Sequence, residues 1–181
     1  MTKPKQSKQE TKSLLPGLDY PVALLAVRGY YSKTFAPEGN NIGVYDDAIF
    51  LVSEYGHYPF NANTDPSTLK PRVARLKAGV WQYRLGIHNI NKAKHRQYPA
   101  LVQAAPVTVS RVGAGDDTGW FGINIHKGSN NSTSSEGCQT IPPSQWGSFY
   151  ELVKMEMKRA GVKTIPYVLV DKSPNTWHKN V

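Results

Sequence analysis

The sequence predicts a mainly β domain with one helix packed on it near the C-terminal end. Short apolar runs and apolar–polar alternations recur from Val22 to His126. Helical spacing occurs once, after Pro142-Pro143, and a last apolar run follows Gly161. The chain has 181 residues, which suits one domain with a core of its own.

Residues 1–13 read as a disordered basic tail, because Lys, Gln, Ser and Thr dominate them. A single folded domain is expected over residues 14–181. Val22 to Tyr31 is apolar and then aromatic, a strand. Asn41 to Ser53 holds two short apolar-aromatic runs around Asp46-Asp47, which reads as a hairpin with an Asp turn. Gly79 to Ile90 alternates: Trp81, Tyr83, Leu85 and Ile87 would share one face, with Gln82, Arg84 and His88 on the other. Leu101 to Val112 is a further strand or strand pair, with Pro106 at an edge or bulge. Phe121 to His126 alternates again. Phe121, Ile123 and Ile125 are expected to face the core, with Gly122, Asn124 and His126 opposite. Lys127 to Gly137 is mostly Ser, Thr, Asn and Gly, a loop. Pro143 opens the helix. Trp146, Phe149, Tyr150, Val153 and Met157 make its apolar face, basic residues crowd its end, and Gly161 closes it. Thr164 to Val170 is the last strand.

The composition narrows the function classes. The net charge is +9, from 22 Lys and Arg against 13 Asp and Glu. That charge favours polyanions such as nucleic acid, anionic lipid or an acidic cell envelope, but it identifies none of them, and no nucleic-acid-binding motif accompanies it. No apolar run approaches the roughly 20 residues of a membrane helix. No secretory signal core follows the basic N-terminus, so synthesis in the cytoplasm is expected. The one cysteine excludes an internal disulfide framework. His57, His88 and His95 show no metal-ligand spacing, a zinc site on Cys138 and His126 lacks the close ligand pairs such sites use, and Asp46-Asp47 reads as a turn, so neither metal nor cofactor is expected. No Gly-x-Ser-x-Gly elbow is present.

The chemistry concentrates in FGINIHKGSNNSTSSEGC, residues 121–138. Thiolate attacks carbonyl carbon, and an imidazole can take the thiol proton. His126, on a strand, meets Cys138 if the small-residue loop folds back. Gly137 permits an unusual backbone angle and close approach of a substrate carbonyl. N–H groups at Gly137 and Cys138 are candidates for an oxyanion hole. Asn124 shares the His126 face and, with Trp120, is a candidate for substrate contact. A buried, inert Cys138 is the plain alternative. A depressed thiol pKa marks the enzyme, and one near that of free cysteine marks a non-catalytic module.

The order strand-His, polar loop, Ser-x-Gly-Cys resembles the L,D-transpeptidase catalytic domain, the YkuD-like fold. His126 matches that family's base, and Ser135, Gly137 and Cys138 match its Ser, Gly and nucleophilic Cys. The resemblance lies between Asn124 and Trp146. It implies a YkuD-like β-sandwich or mixed sheet, bacterial peptidoglycan stem peptides as substrate, and a base oriented by the segment Lys127, Gly128 and Ser129. Three positions differ: Glu136 replaces the family's second His, Gln139 an apolar residue, and Thr140 an Arg. With Glu136 and Gln139 taken as substrate contacts, these differences point to hydrolysis, an L,D-carboxypeptidase or endopeptidase of a phage endolysin or injected effector. A transpeptidase and a cell-wall-binding module stay open. Either enzyme would act in the periplasm or cell wall after release or injection.

Overall fold

Seven consecutive buried residues, Val22–Arg28 (β1), run through the middle of the molecule. An unbroken apolar strand of this kind needs cover on both faces. In the computed structural model, which describes residues 2–17, 20–31 and 41–173, it has both. β1 pairs with Asp47–Ser53 (β2) antiparallel and with Ile165–Asp171 (β11) parallel. His57–Ala62 (β3) continues the sheet on one side. Gly79–His88 (β5), Tyr98–Gln103 (β6), Ile125–Lys127 (β9) and Gln139–Ile141 (β10) continue it on the other. The eight-stranded order is β10-β9-β6-β5-β11-β1-β2-β3. Asn63, just after β3, exchanges backbone hydrogen bonds of 2.9 and 2.8 Å with Thr140 of β10. The sheet therefore curls until its outer strands meet, which satisfies edges that would otherwise lie open.

The helix Pro143–Arg159 (α2) packs Phe149, Val153 and Met157 into the main core beside Ile49, Phe60 and Tyr167. Each such side chain contributes roughly 1.5–3 kcal/mol of burial. Pro143 opens α2, and Gly161, at φ +66°, follows its end in the left-handed conformation that stops a helix. The molecule is thus mainly β with one C-terminal helix on the sheet.

A smaller sheet, Ala74–Leu76 (β4), Val107–Arg111 (β7) and Gly115–Gly119 (β8), is tied to the large one by a ring of ion pairs. Arg28 of β1 lies 3.2 Å from Asp65 and 3.1 Å from Asp171, and Arg75 of β4 lies 2.6 and 3.4 Å from the same two carboxylates. Arg28 also donates to the carbonyls of Thr64 and Leu76. Burial opposes the Arg28 charge, but Asp65, Asp171 and Asp47 outweigh it and raise its pKa.

Four expectations need correction. The tail expected over residues 1–13 carries a helix, Lys8–Ser13 (α1), closed by a Ser7–Glu10 capping box. Thr11 is buried against His57, and Leu14 and Leu15 pack on Leu25, Val27 and Phe50. The outer face of β1 and β2 needed a cover, and the N-terminal segment supplies it. Asp46-Asp47 is no turn: Asp47 begins β2, is buried, and accepts from the N–H of Gly29 and from the N–H and hydroxyl of Thr64. Residues 121–124 are not in a strand, since β9 starts only at Ile125. Ile123 is nevertheless buried, and Phe121 packs against the core. Ile87 does not join the core; it lies 39% exposed at the end of β5.

Candidate active site

Two neighbouring strands and one turn bring the site together. Thr140 pairs with His126 in the parallel β9–β10 register, so the turn before β10 holds Cys138 beside β9. The loop folds back as expected, and segment 63–67 explains how. Its Ser67 and Ser135 exchange hydrogen bonds, Ser67 N–H to the Ser135 carbonyl at 2.8 Å and Ser135 N–H to Ser67 Oγ at 2.7 Å. With the Asn63–Thr140 bridge, that segment zips along the loop on either side of the cysteine.

The turn itself is stapled by Ser135. Its hydroxyl donates to the Cys138 carbonyl at 2.7 Å and accepts the Gly137 N–H at 3.1 Å. Ser135 is therefore a positioning residue. The Gly137 N–H is committed inside the turn, which removes it from the expected oxyanion hole. The N–H of Cys138 finds no acceptor among the described residues. Gly137 sits at φ +125°, and a Cβ there would lie 2.6 Å from the Ala74 carbonyl. Its missing side chain serves the approach of β4, not of a substrate.

Cys138 is partly accessible. Its Sγ accepts the Asn124 N–H and donates to the Gly122 carbonyl, each at 3.4 Å. His126 is buried, and its Nδ1 lies 2.8 Å from the Lys127 carbonyl and 3.0 Å from the Tyr98 hydroxyl. A carbonyl only accepts, so Nδ1 carries the proton and Nε2 keeps its lone pair. His88, which pairs with Tyr98 across β5 and β6, stacks on His126 with ring centroids 4.1 Å apart. One ring nitrogen from each histidine and the Cys138 sulfur all lie within 4.8 Å of one another.

Burial sets the protonation states. It holds His126 down to about 4, helped by the neighbouring His88 and opposed by the Lys127 carbonyl. Burial pushes the Cys138 thiol up to about 11; the Asn124 N–H opposes this, and Glu136 adds to it. Burial likewise lowers His88. The resting pair is thus neutral thiol and neutral imidazole, not the depressed thiol expected of a preformed ion pair.

The other expected residues divide. Asn124 belongs to the site: its side-chain amide lies 3.0 Å from His88 Nδ1. Trp120, 64% exposed, lines a groove of about 610 Å³ with Arg84, His88, Lys92, Gly122 and Asn124. Glu136 lines a second cleft of about 370 Å³ with Lys70, Arg72, Arg111 and Phe121. Gln139 is fully buried, donates to the Gly137 carbonyl and accepts from Tyr167, so it braces the turn and meets no substrate. Of the three orienting residues, Lys127 alone holds His126. Gly128 abuts the Tyr45 hydroxyl, and the Ser129 carbonyl accepts from it, so both anchor the loop.

His88 and Tyr98 are the site residues that the sequence did not single out. His88 ends the clearest alternation in the chain, but only the β5–β6–β9 order carries it to His126, and no local spacing encodes that order. No family model, curated protein or solved structure matches this chain.

Proposed function

We propose that the protein is a cysteine peptidase acting on bacterial peptidoglycan stem peptides through an acyl-enzyme. The observation that carries this reading is Cys138 beside a His126 whose Nδ1 is tied to the Lys127 carbonyl, the orientation that frees Nε2 for the thiol. Because the resting thiol is neutral, proton transfer to Nε2 accompanies attack. Sγ bonds to the substrate carbonyl carbon, and His126 passes the proton to the leaving amine as the C–N bond breaks. Water then attacks the thioester, gives its proton to His126, and the sulfur leaves as the thiol. The Cys138 N–H is the donor offered to the oxyanion.

The clefts support a substrate with free carboxylates. The two partners of Cys138 Sγ, Gly122 and Asn124, line the larger, and Glu136, two residues before the cysteine, lines the smaller. Arg84 and Lys92 line one, and Lys70, Arg72 and Arg111 the other, suited to charge-assisted bonds with carboxylates. A substrate of this kind lies in the cell envelope. An amine of a D-amino acid in place of water would make the same acyl-enzyme a transpeptidase.

The test incubates tetrapeptide, pentapeptide and cross-linked stem fragments with wild type and Cys138→Ala and follows products by mass spectrometry. Loss of a residue or cross-link with wild type alone is expected. Exchange for an added D-amino acid would assign transpeptidation. The raised thiol favours a second reading, a wall-binding module. Retention on peptidoglycan by both proteins with no product from either would establish it in place of the enzyme.

A further inference from the structure

We propose that His88, His126 and Cys138 form a binding site for a thiophilic divalent cation, Zn²⁺, that closes the cysteine–histidine pair reversibly. Three donor atoms of the types zinc prefers already converge within 4.8 Å. Tetrahedral zinc, with bonds of about 2.0–2.1 Å to nitrogen and 2.3 Å to sulfur, sets such atoms about 3.3–3.6 Å apart. A contraction of at most about 1.2–1.5 Å closes that gap. The ligands come from β5, β9 and the stapled turn before β10, so the backbone need not move.

The surroundings match what a zinc ligand set requires. Zinc takes imidazole in its neutral form, and the His126 ring, with its Nδ1–H held by the Lys127 carbonyl, presents Nε2 as a lone pair. Each ring needs a partner on its other nitrogen. His126 has the Lys127 carbonyl, and His88 has the Asn124 amide, whose oxygen turned to the ring would fix Nδ1–H and free Nε2. The cation displaces the thiol proton to solvent, and its charge offsets the burial that otherwise disfavours thiolate. The groove that His88 and Asn124 line offers room beside the cluster for water as a fourth ligand. Bound metal would occupy both the sulfur and the imidazole lone pair that acyl transfer needs. That inhibitory consequence rests on the peptidase reading; the binding does not.

The experiment titrates the full chain with Co²⁺ as a spectroscopic probe and with Zn²⁺ against a chromophoric chelator. Circular dichroism checks the fold of each variant. Wild type is expected to take one equivalent, with a thiolate-to-cobalt charge-transfer band. Cys138→Ser should lose the band, and His88→Gln should weaken Zn²⁺ binding by more than about tenfold, the least an outer-shell change costs. Zn²⁺ should also protect wild-type Cys138 from alkylation by iodoacetamide, a readout that needs no variant to fold. No band, no protection, or His88→Gln binding as tightly as wild type would overturn the site. None of these readouts uses turnover, so an inactive protein that binds zinc overturns the peptidase reading and leaves this one standing.

Discussion

Two partly buried polar clusters each touch β4 or the turn it packs against, and they solve burial in opposite ways. The ring of Arg28, Asp65, Arg75 and Asp171 keeps its charges, because each cation faces two carboxylates and Arg28 has further carbonyl partners. The group of His88, His126 and Cys138 has no opposite charge among its members and stays neutral. Paired charge holds sheets together but has no proton to give at neutral pH. The neutral cluster holds a thiol and a free lone pair, which suits reaction. β4 couples the two: Arg75 belongs to the ring, and the Ala74 carbonyl packs against Gly137, the residue before the cysteine.

The largest expected effect separates the clusters by function. Cys138→Ala should lower turnover of stem peptides by about a thousandfold or more while leaving the urea midpoint near that of wild type. A large shift in that midpoint would make the cysteine a structural residue like Arg28.

Arg28→Met should do the reverse. It removes one of the ion pairs of buried Asp65 and the Arg28 charge that favours ionised Asp47, at a loss of about 3–5 kcal/mol in urea denaturation. A loss below about 1 kcal/mol would mean that the ring is not what joins the two sheets.

The clusters also differ in pH response. Unfolded His126 titrates near 6.5 and folded His126 near 4, so folding favours the neutral ring. This stability is full above 6.5 and is lost as pH falls from 6.5 to about 4, on the order of 3 kcal/mol. Asp171, lowered by Arg28, Ser173 and Arg75 against its own burial, keeps its contribution through that window and loses it only below its ordinary pKa of 3.8. Asp46 runs the other way: burial raises it to about 6, so its penalty is relieved as pH falls from 6 toward 3.8. In thermal melts between pH 7 and 4, wild type should lose more stability than His126→Asn as pH falls below 6.5, which isolates the histidine from Asp46. Parallel curves would contradict the buried neutral ring.

The smallest effect tests the staple. Ser135→Ala removes two hydrogen bonds from the cysteine turn, about 1 kcal/mol each. Turnover should fall more than stability does. Unchanged turnover would show that Gly137 and segment 63–67 suffice to aim the thiol.

Legibility followed the range of the interaction. α2 was visible from its proline, its apolar face and its closing glycine, all within one short stretch. β1, β5, β7 and β11 announced themselves by apolar runs or alternation. Short strands such as β4 and β10, with three residues each, carry no period to detect. α1 was hidden because its own composition is polar, and its order comes from Leu14 and Leu15 meeting a face built elsewhere.

The sequence by itself determined the mainly β character, the C-terminal helix and the pairing of His126 with Cys138 across one polar loop. Those properties are written in neighbouring residues through periodicity, capping and the small size of loop side chains. Only the tertiary structure decided that Gln139 is a buried brace, that Gly137 yields to the Ala74 carbonyl, and that His88 and Tyr98 enter the site. These depend on which strands lie side by side, and strand order arises from the packing of the whole sheet.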